Sequence, residues 1–157
     1  MFNLHDSMQY KNVISKSYLI PKEHTDKAIT DFISELAKGE IRTSTLPFYT
    51  IELLKDDWIR MSLYISSDDD FPTLAPKMHF DSYFCVEDMA SCCLFENLEE
   101  KIPLTHSDLS TFLEKNNLRP ITPVYHIIGG DQSIKYIILK IGYYEIDDTN
   151  DSVSASK

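Results

Sequence analysis

The sequence predicts an α+β fold in which a strand–helix–strand–strand unit occurs twice. Two segments carry apolar residues at helical spacing, and the segments around them alternate or concentrate β-branched and aromatic residues as strands do. Each unit alone is too small to bury one face of its sheet. Two units side by side form an antiparallel sheet with two helices on one face, which is a stable layered architecture.

In the first half, the residues predict a strand, a helix and a pair of strands. Thr25 is a suitable helix N-cap, and Gly39 stands where a glycine ends a helix. The apolar residues between them follow the spacing of an amphipathic helix. The predicted elements are a strand over 12–20, a helix between the N-cap Thr25 and Gly39, and strands over Phe48–Leu54 and Trp58–Ser66.

The second half repeats this order after a connecting loop that carries two prolines and no periodicity. Proline is acceptable in the first turn of a helix, so Pro103 is taken as its start. Gly129–Ser133 is a typical hairpin turn between the last two strands. The predicted elements are strands over 82–86 and 89–95, a helix over Pro103–Asn116, and strands over Val124–Ile128 and Ile134–Tyr144.

Matching segments lie at a nearly constant distance along the chain, which indicates an internal duplication. The strands match Val13–Leu19 with Asp88–Leu94, Pro47–Ile51 with Pro123–Ile127, and Ile59–Met61 with Ile134–Tyr136, at offsets of 75, 76 and 75 residues. We therefore expect a single domain over 1–157. Its parts are a first repeat at about 10–66, a connecting loop at 67–80, a second repeat at about 81–146 and a disordered acidic tail at 147–157.

The charge of the chain excludes some partners. Fifteen basic and twenty-five acidic residues give a formal net charge of −10, which repels phosphate backbones and anionic lipid surfaces. We therefore expect no nucleic acid and no membrane as partner. The first ten residues contain neither a basic nor an apolar targeting region, and the three cysteines are an odd number, so we expect a cytoplasmic protein with reduced thiols.

Catalytic and metal-binding patterns are missing from the sequence. The five histidines have no metal-ligand spacing, and the acidic run Asp68–Asp70 lacks the glycine and terminal glutamate of a calcium loop. Neither a nucleophile motif nor a phosphate-binding glycine loop occurs. We therefore expect no enzyme, no catalytic residues, no metal and no cofactor.

The duplicated unit of about 75 residues resembles the GyrI-like fold, which is found in effector-binding domains of multidrug regulators and in gyrase-inhibitory proteins. The resemblance implies a pocket between the halves, lined by aromatic residues, with a buried glutamate that faces a cationic ligand. The glutamate position falls on His126, and a neutral imidazole cannot supply the counter-charge. The remaining lining would be Tyr49, Trp58, Tyr83, Tyr125 and Tyr136, with Glu96 or Glu145 as the acidic group.

Three segments are similar to a narrower, uncharacterised Gram-positive family of the same architecture: Phe80–Met89, Phe112–Leu118 and Ile134–Gly142. Its members tend to be encoded beside type VII secretion substrates and LXG-type toxins. This resemblance implies a non-catalytic accessory or chaperone-like protein that binds a secreted toxin or a small helical export protein.

Two classes of function therefore remain open. The first is a protein-binding module, whose surface would combine the aromatic residues Trp58, Tyr64 and Tyr136 with the cations Arg60 and Lys135. The alternative is a small-molecule effector-binding or gyrase-inhibitor-like protein that takes a small hydrophobic or cationic ligand. We expect the first, because the duplication leaves no room for the DNA-binding domain of a regulator.

Overall fold

A computed structural model describes residues 1–131 and 133–146 of the chain, so the predicted disordered tail at 147–157 lies outside the described residues. Within these residues, two α-helices and seven strands follow one another. They are β1 (Asn3–Pro21), α1 (Thr25–Lys38), β2 (Phe48–Leu53), β3 (Trp58–Ser66), β4 (His79–Leu94), α2 (Leu98–Lys115), β5 (Leu118–Pro120), β6 (Tyr125–Gly130) and β7 (Lys135–Glu145).

Six of the strands form a closed antiparallel ring. The order is β4-β1-β3-β2-β6-β7, and β7 pairs again with β4, while the short β5 pairs with the end of β7. The junction between β1 and β4 runs from Asn3 to Ser15, whereas the junction between β2 and β6 has two residue pairs, Phe48 with Ile127 and Tyr49 with His126. The ring therefore has one long and one short seam between its two halves.

Both helices pack on the outer face of the ring, which confirms the predicted fold class. Phe32 and Leu36 of α1 pack against the alternating apolar residues of β3, because residues four apart share one face of a helix. Leu109 and Leu113 of α2 cover Ala90, Ile141 and Tyr143 in the same way. Among the described residues, neither helix is long and apolar enough to cross a lipid bilayer.

The two halves are equivalent strand by strand, at offsets one residue longer than the sequence predicts. Val13 pairs with Ser66, and Met89 pairs with Gly142, so both partners are displaced by 76 positions. Phe48 faces Tyr64 as Tyr125 faces Lys140, which gives a displacement of 77 for β2 and β6. A shift of one residue exchanges the two faces of a strand. The predicted equivalence of Arg60 and Lys135 is therefore wrong, because Arg60 corresponds to Tyr136.

Left-handed residues explain where the predicted element bounds differ. β4 is one continuous strand rather than two, with Asp88 at a φ of 54°, and β1 starts at Asn3 rather than at residue 12, with Asn12 at a φ of 57°. These residues interrupt the alternation of faces while strand pairing continues on both sides. The second helix begins at Leu98 and holds Pro103 inside it.

Equivalent leucines of the two halves are expected to contribute equally to stability. Leu63 and Leu139 are 76 positions apart and fully buried, beneath α1 and α2 respectively. We expect Leu63→Ala and Leu139→Ala each to lower the free energy of unfolding by about 2–5 kcal/mol in urea unfolding, because both leave a cavity. The control, Leu53→Ala, removes an exposed side chain and should change it by less than about 0.5 kcal/mol. A loss below about 1 kcal/mol in either variant would contradict a buried apolar core beneath each of the two helices.

Candidate ligand-binding site

Five aromatic rings from five different strands meet on the inner face of the ring, and we call them the inner aromatic cluster. They are Tyr10, Phe48, Tyr64, Phe84 and Tyr125. The ring of Phe48 is stacked between those of Tyr10 and Tyr64, with centroids 4.9 Å away on each side. Phe84 and Tyr125 approach it edge-on at 5.5 and 6.1 Å. The cluster joins both halves of the molecule around Phe48, which is 1% exposed.

The tyrosines give this apolar cluster a polar edge. Within the described residues, the hydroxyls of Tyr10, Tyr64 and Tyr125 make no hydrogen bond to another group, yet no fully buried side-chain polar atom lacks a partner. These hydroxyls therefore reach solvent. Burial, and then the nearby Tyr64, raises the pKa of Tyr125 to about 12, and burial raises the pKa of Tyr10. Both are neutral phenols at pH 7, able to donate a hydrogen bond to a ligand.

An ion pair lies beside the cluster on the inner face. Lys140 stands directly across from Tyr125, and its Nζ donates to the carbonyl of Ser7 at 2.7 Å and lies 3.2 Å from Oδ2 of Asp6. Asp6 also accepts hydrogen bonds from the Ser91 hydroxyl at 2.7 Å and from the Ser7 amide at 2.8 Å. Burial by itself would raise the pKa of Asp6, but these hydrogen bonds and the ammonium outweigh it and lower that pKa. We call Asp6 and Lys140 the inner ion pair.

Two histidines lie behind the short seam, on its outer side. The ring of His126 stacks on that of Tyr49 at 4.5 Å, and its Nδ1 donates to the carbonyl of Tyr49 at 3.2 Å. Its Nε2 is 3.0 Å from Nε2 of His106 on α2 and accepts a hydrogen bond from it. Burial, and then the neighbouring His106, lowers the pKa of His126 to about 4. The pair is therefore neutral at pH 7 and ties α2 to the seam.

The structure brings together two of the predicted site residues, Tyr64 and Tyr125, in the inner aromatic cluster. Tyr49 of β2 and His126 of β6 lie on the outer side of the ring, against the helices. Trp58 is 42% exposed at the start of β3, and Tyr83 is exposed on β4. Tyr136 lies against Gly129, near the ring of Phe95.

The charged candidates do not meet in one place. Arg60 pairs with Glu52 at 2.8 Å, and Lys135 is exposed on the opposite face of its strand from Tyr136. Glu96 and Glu145 are exposed at the ends of β4 and β7. Among the described residues, no three histidine, cysteine, aspartate or glutamate side chains are arranged to hold a metal ion.

Sequence reasoning missed Tyr10, Phe48, Phe84 and the inner ion pair. Tyr10 and Asp6 precede the predicted first strand, and the one-residue error in the β2–β6 match selects Tyr49 in place of Phe48. The sequence signal that could have identified Phe48 was the alternation of apolar residues in strand β3. Its apolar residues face the helix, so Tyr64 faces inward, and Phe48, which is directly across from Tyr64, must do the same.

The histidine pair makes stability depend on pH. The unfolded chain protonates His126 at the ordinary pKa of 6.5, but the folded chain does so only near pH 4. Between these values the unfolded state binds more protons, so the free energy of unfolding falls as the pH falls, by roughly 2–3 kcal/mol in total. We expect His126→Asn, which keeps a donor for the Tyr49 carbonyl, to remove most of this dependence in urea unfolding between pH 7 and 4. The exposed His79→Asn should keep it, and an unchanged dependence in His126→Asn would refute the assignment.

Comparison with solved structures shows that the fold is GyrI-like. The chain is similar to the EcmrR C-terminal domain, with a TM-score of 0.71 and 12% identity over 93% of this chain and 98% of that one. It is also similar to a hydrolase from Listeria innocua, with a TM-score of 0.56 and 13% identity over 92% of this chain and 91% of the other. At these identities the similarity shows the fold alone.

The sequence comparisons give the family. No curated protein matches the chain. One family profile matches residues 9–145, which include both helices and the strands of the closed ring except residues 3–8 of β1. The chain therefore belongs to the family described as Domain of unknown function (DUF5085).

Proposed function

We propose that this chain is a non-catalytic small-molecule-binding domain whose ligand lies against the inner aromatic cluster. The observation that carries the proposal is the cluster itself: five rings from five strands, placed between the two halves, with three phenol groups that form no hydrogen bond to any residue the structure describes. Apolar walls with a few convergent polar groups are the usual composition of ligand sites. The GyrI-like fold supports this choice.

The unequal seams suggest how a ligand would enter. Phe48 is the first residue of β2 and one of the two residues of that strand that pair with β6. Parting this short seam would release the Phe48 ring while the long seam between β1 and β4 holds the halves together. An aromatic ring of a ligand would then find the faces of Tyr10 and Tyr64 that Phe48 covers. In this proposal, the ring of Phe48 occupies the ligand site as long as the short seam is closed.

The accessory role beside type VII-secreted toxins, with a protein partner, stays a prediction from sequence resemblance. The cytoplasmic location stays a prediction from the N-terminal residues and the cysteines. The surface predicted to bind that protein partner is not continuous, because Lys135 lies on the opposite face of the sheet from Trp58 and Arg60. The fold comparison favours the ligand-binding alternative. The absence of enzymatic activity also stays a prediction.

Removal of the free hydroxyls should weaken binding of a suitable probe. Triphenylphosphine oxide combines aromatic rings with one strong hydrogen-bond acceptor, which matches rings edged by phenol groups. We expect Tyr64→Phe and Tyr125→Phe each to raise its Kd about 2- to 10-fold in isothermal titration calorimetry, the effect of one lost hydrogen bond.

Tyr144→Phe is the matched control, because it removes an exposed hydroxyl near the C-terminal end of β7. It should leave the Kd unchanged. An equal loss in Tyr144→Phe, or no binding of the probe to the unchanged chain, would contradict a ligand site at the inner aromatic cluster.

A further inference from the structure

We propose that Lys140 sets the charge selectivity of the site, so that the ligand is an uncharged aromatic molecule and organic cations are rejected. This inference rests on the proposed function and names the ligand class. It follows from a difference between the two halves. Ser15 and Phe48 flank Tyr64 across the strands of the first half, and Ser91 and Tyr125 flank Lys140 in the same way in the second. A phenol in one half is replaced by an ammonium in the other.

The carboxylate of Asp6 is not available to a cationic ligand. One oxygen accepts from the Ser7 amide, and the other accepts from the Ser91 hydroxyl and lies against the Lys140 ammonium. The side chain of Lys140 is 14% exposed and that of Asp6 is 37% exposed, so the ammonium is shielded from bulk water and the carboxylate is partly hydrated. Both carboxylate oxygens of Asp6 are occupied by hydrogen bonds, and the adjacent ammonium of Lys140 neutralises the negative charge.

Other carboxylates near the inner face are paired or fully hydrated. Glu52 forms an ion pair with Arg60 across β2 and β3. Asp81 lies opposite Val13 at the long seam and is exposed to water. Within the described part of the chain, the inner aromatic cluster therefore has no unpaired, shielded carboxylate beside it.

A cation placed here would lose hydration and gain no free counter-charge. Its charged neighbours on the Tyr125 side would be the Lys140 ammonium and the Asp6 carboxylate, which neutralise each other, so nothing there would replace the lost hydration. A neutral ligand avoids both penalties and still stacks on the rings. Removing one member of the inner ion pair should therefore change which charge the site accepts.

The test compares three probes of similar size by calorimetry: triphenylphosphine oxide, methyltriphenylphosphonium and triphenylacetate. The unchanged chain should bind the neutral oxide at least about tenfold more tightly than either ion. Lys140→Met frees Asp6 and should shift the preference toward the phosphonium by about tenfold or more. Asp6→Asn frees Lys140 and should shift it toward triphenylacetate by a similar factor.

Two further variants control for general destabilisation. Lys16→Met breaks a comparable shielded ion pair with Asp31 and Glu35 on the outer face and should leave the probe preference unchanged. The double variant Asp6→Asn/Lys140→Met removes both charges and should restore the preference for the oxide. It also tests the idea if either single variant fails to fold, because it leaves no unpaired charge.

The outcomes separate the two proposals. Phosphonium binding to the unchanged chain as tightly as the oxide, or equal preferences in all variants, would overturn the role of Lys140 and leave the ligand site standing. A double variant that prefers either ion to the oxide would also overturn the role of Lys140 and leave the ligand site standing. Binding of none of the three probes to any variant would overturn the ligand site and this inference together.

Discussion

The contacts of the Phe48 ring are the interaction on which the arrangement of the two halves depends. The ring is stacked between Tyr10 and Tyr64 of its own half, and it meets Phe84 and Tyr125 of the other half edge-on. The outer faces of the halves are each covered by their own helix, so their cores are separate. The inner face is shared by both halves, and its centre is one ring with stacked neighbours on both sides. Because Phe48 also begins the strand that closes the short seam, packing and closure rest on one residue. A chain that binds ligands here must trade this contact for another.

Residues that face a helix could be predicted from the sequence, and residues of the inner face mostly could not. In β3 the alternation of Ile59, Met61 and Leu63 is strict, because one face is buried beneath α1 and the other is not. The inner face mixes aromatic, hydroxyl and charged side chains, so no period identifies it. Asn12 and Asp88 add left-handed residues that shift the alternation in both long strands. The duplication was visible, but its register was not, because matching residue types cannot distinguish the two faces of a strand.

The duplicated halves have diverged in opposite ways on their two faces. Outside, Lys16 of β1 bonds to Asp31 and Glu35 of α1, while the equivalent position in β4 is the buried Cys92 beneath α2. Inside, the first half has the phenol and the second half the charge. Each half therefore carries one shielded lysine, and the two lysines are on opposite sides of the sheet. The duplicated halves share one arrangement of strands, and differences at single positions make the two halves chemically distinct.

The short seam also has a consequence for association between molecules. Closing a sheet into a ring pairs its edge strands with each other, which protects a strand-rich protein from pairing with its neighbours. Parting β2 from β6 would uncover two complementary edges at once, and the long seam would keep both presented. In a concentrated solution, β2 of one chain could then pair with β6 of another, which is the geometry of an exchanged dimer. The two residue pairs that close the ring are therefore also what keeps each chain paired with itself.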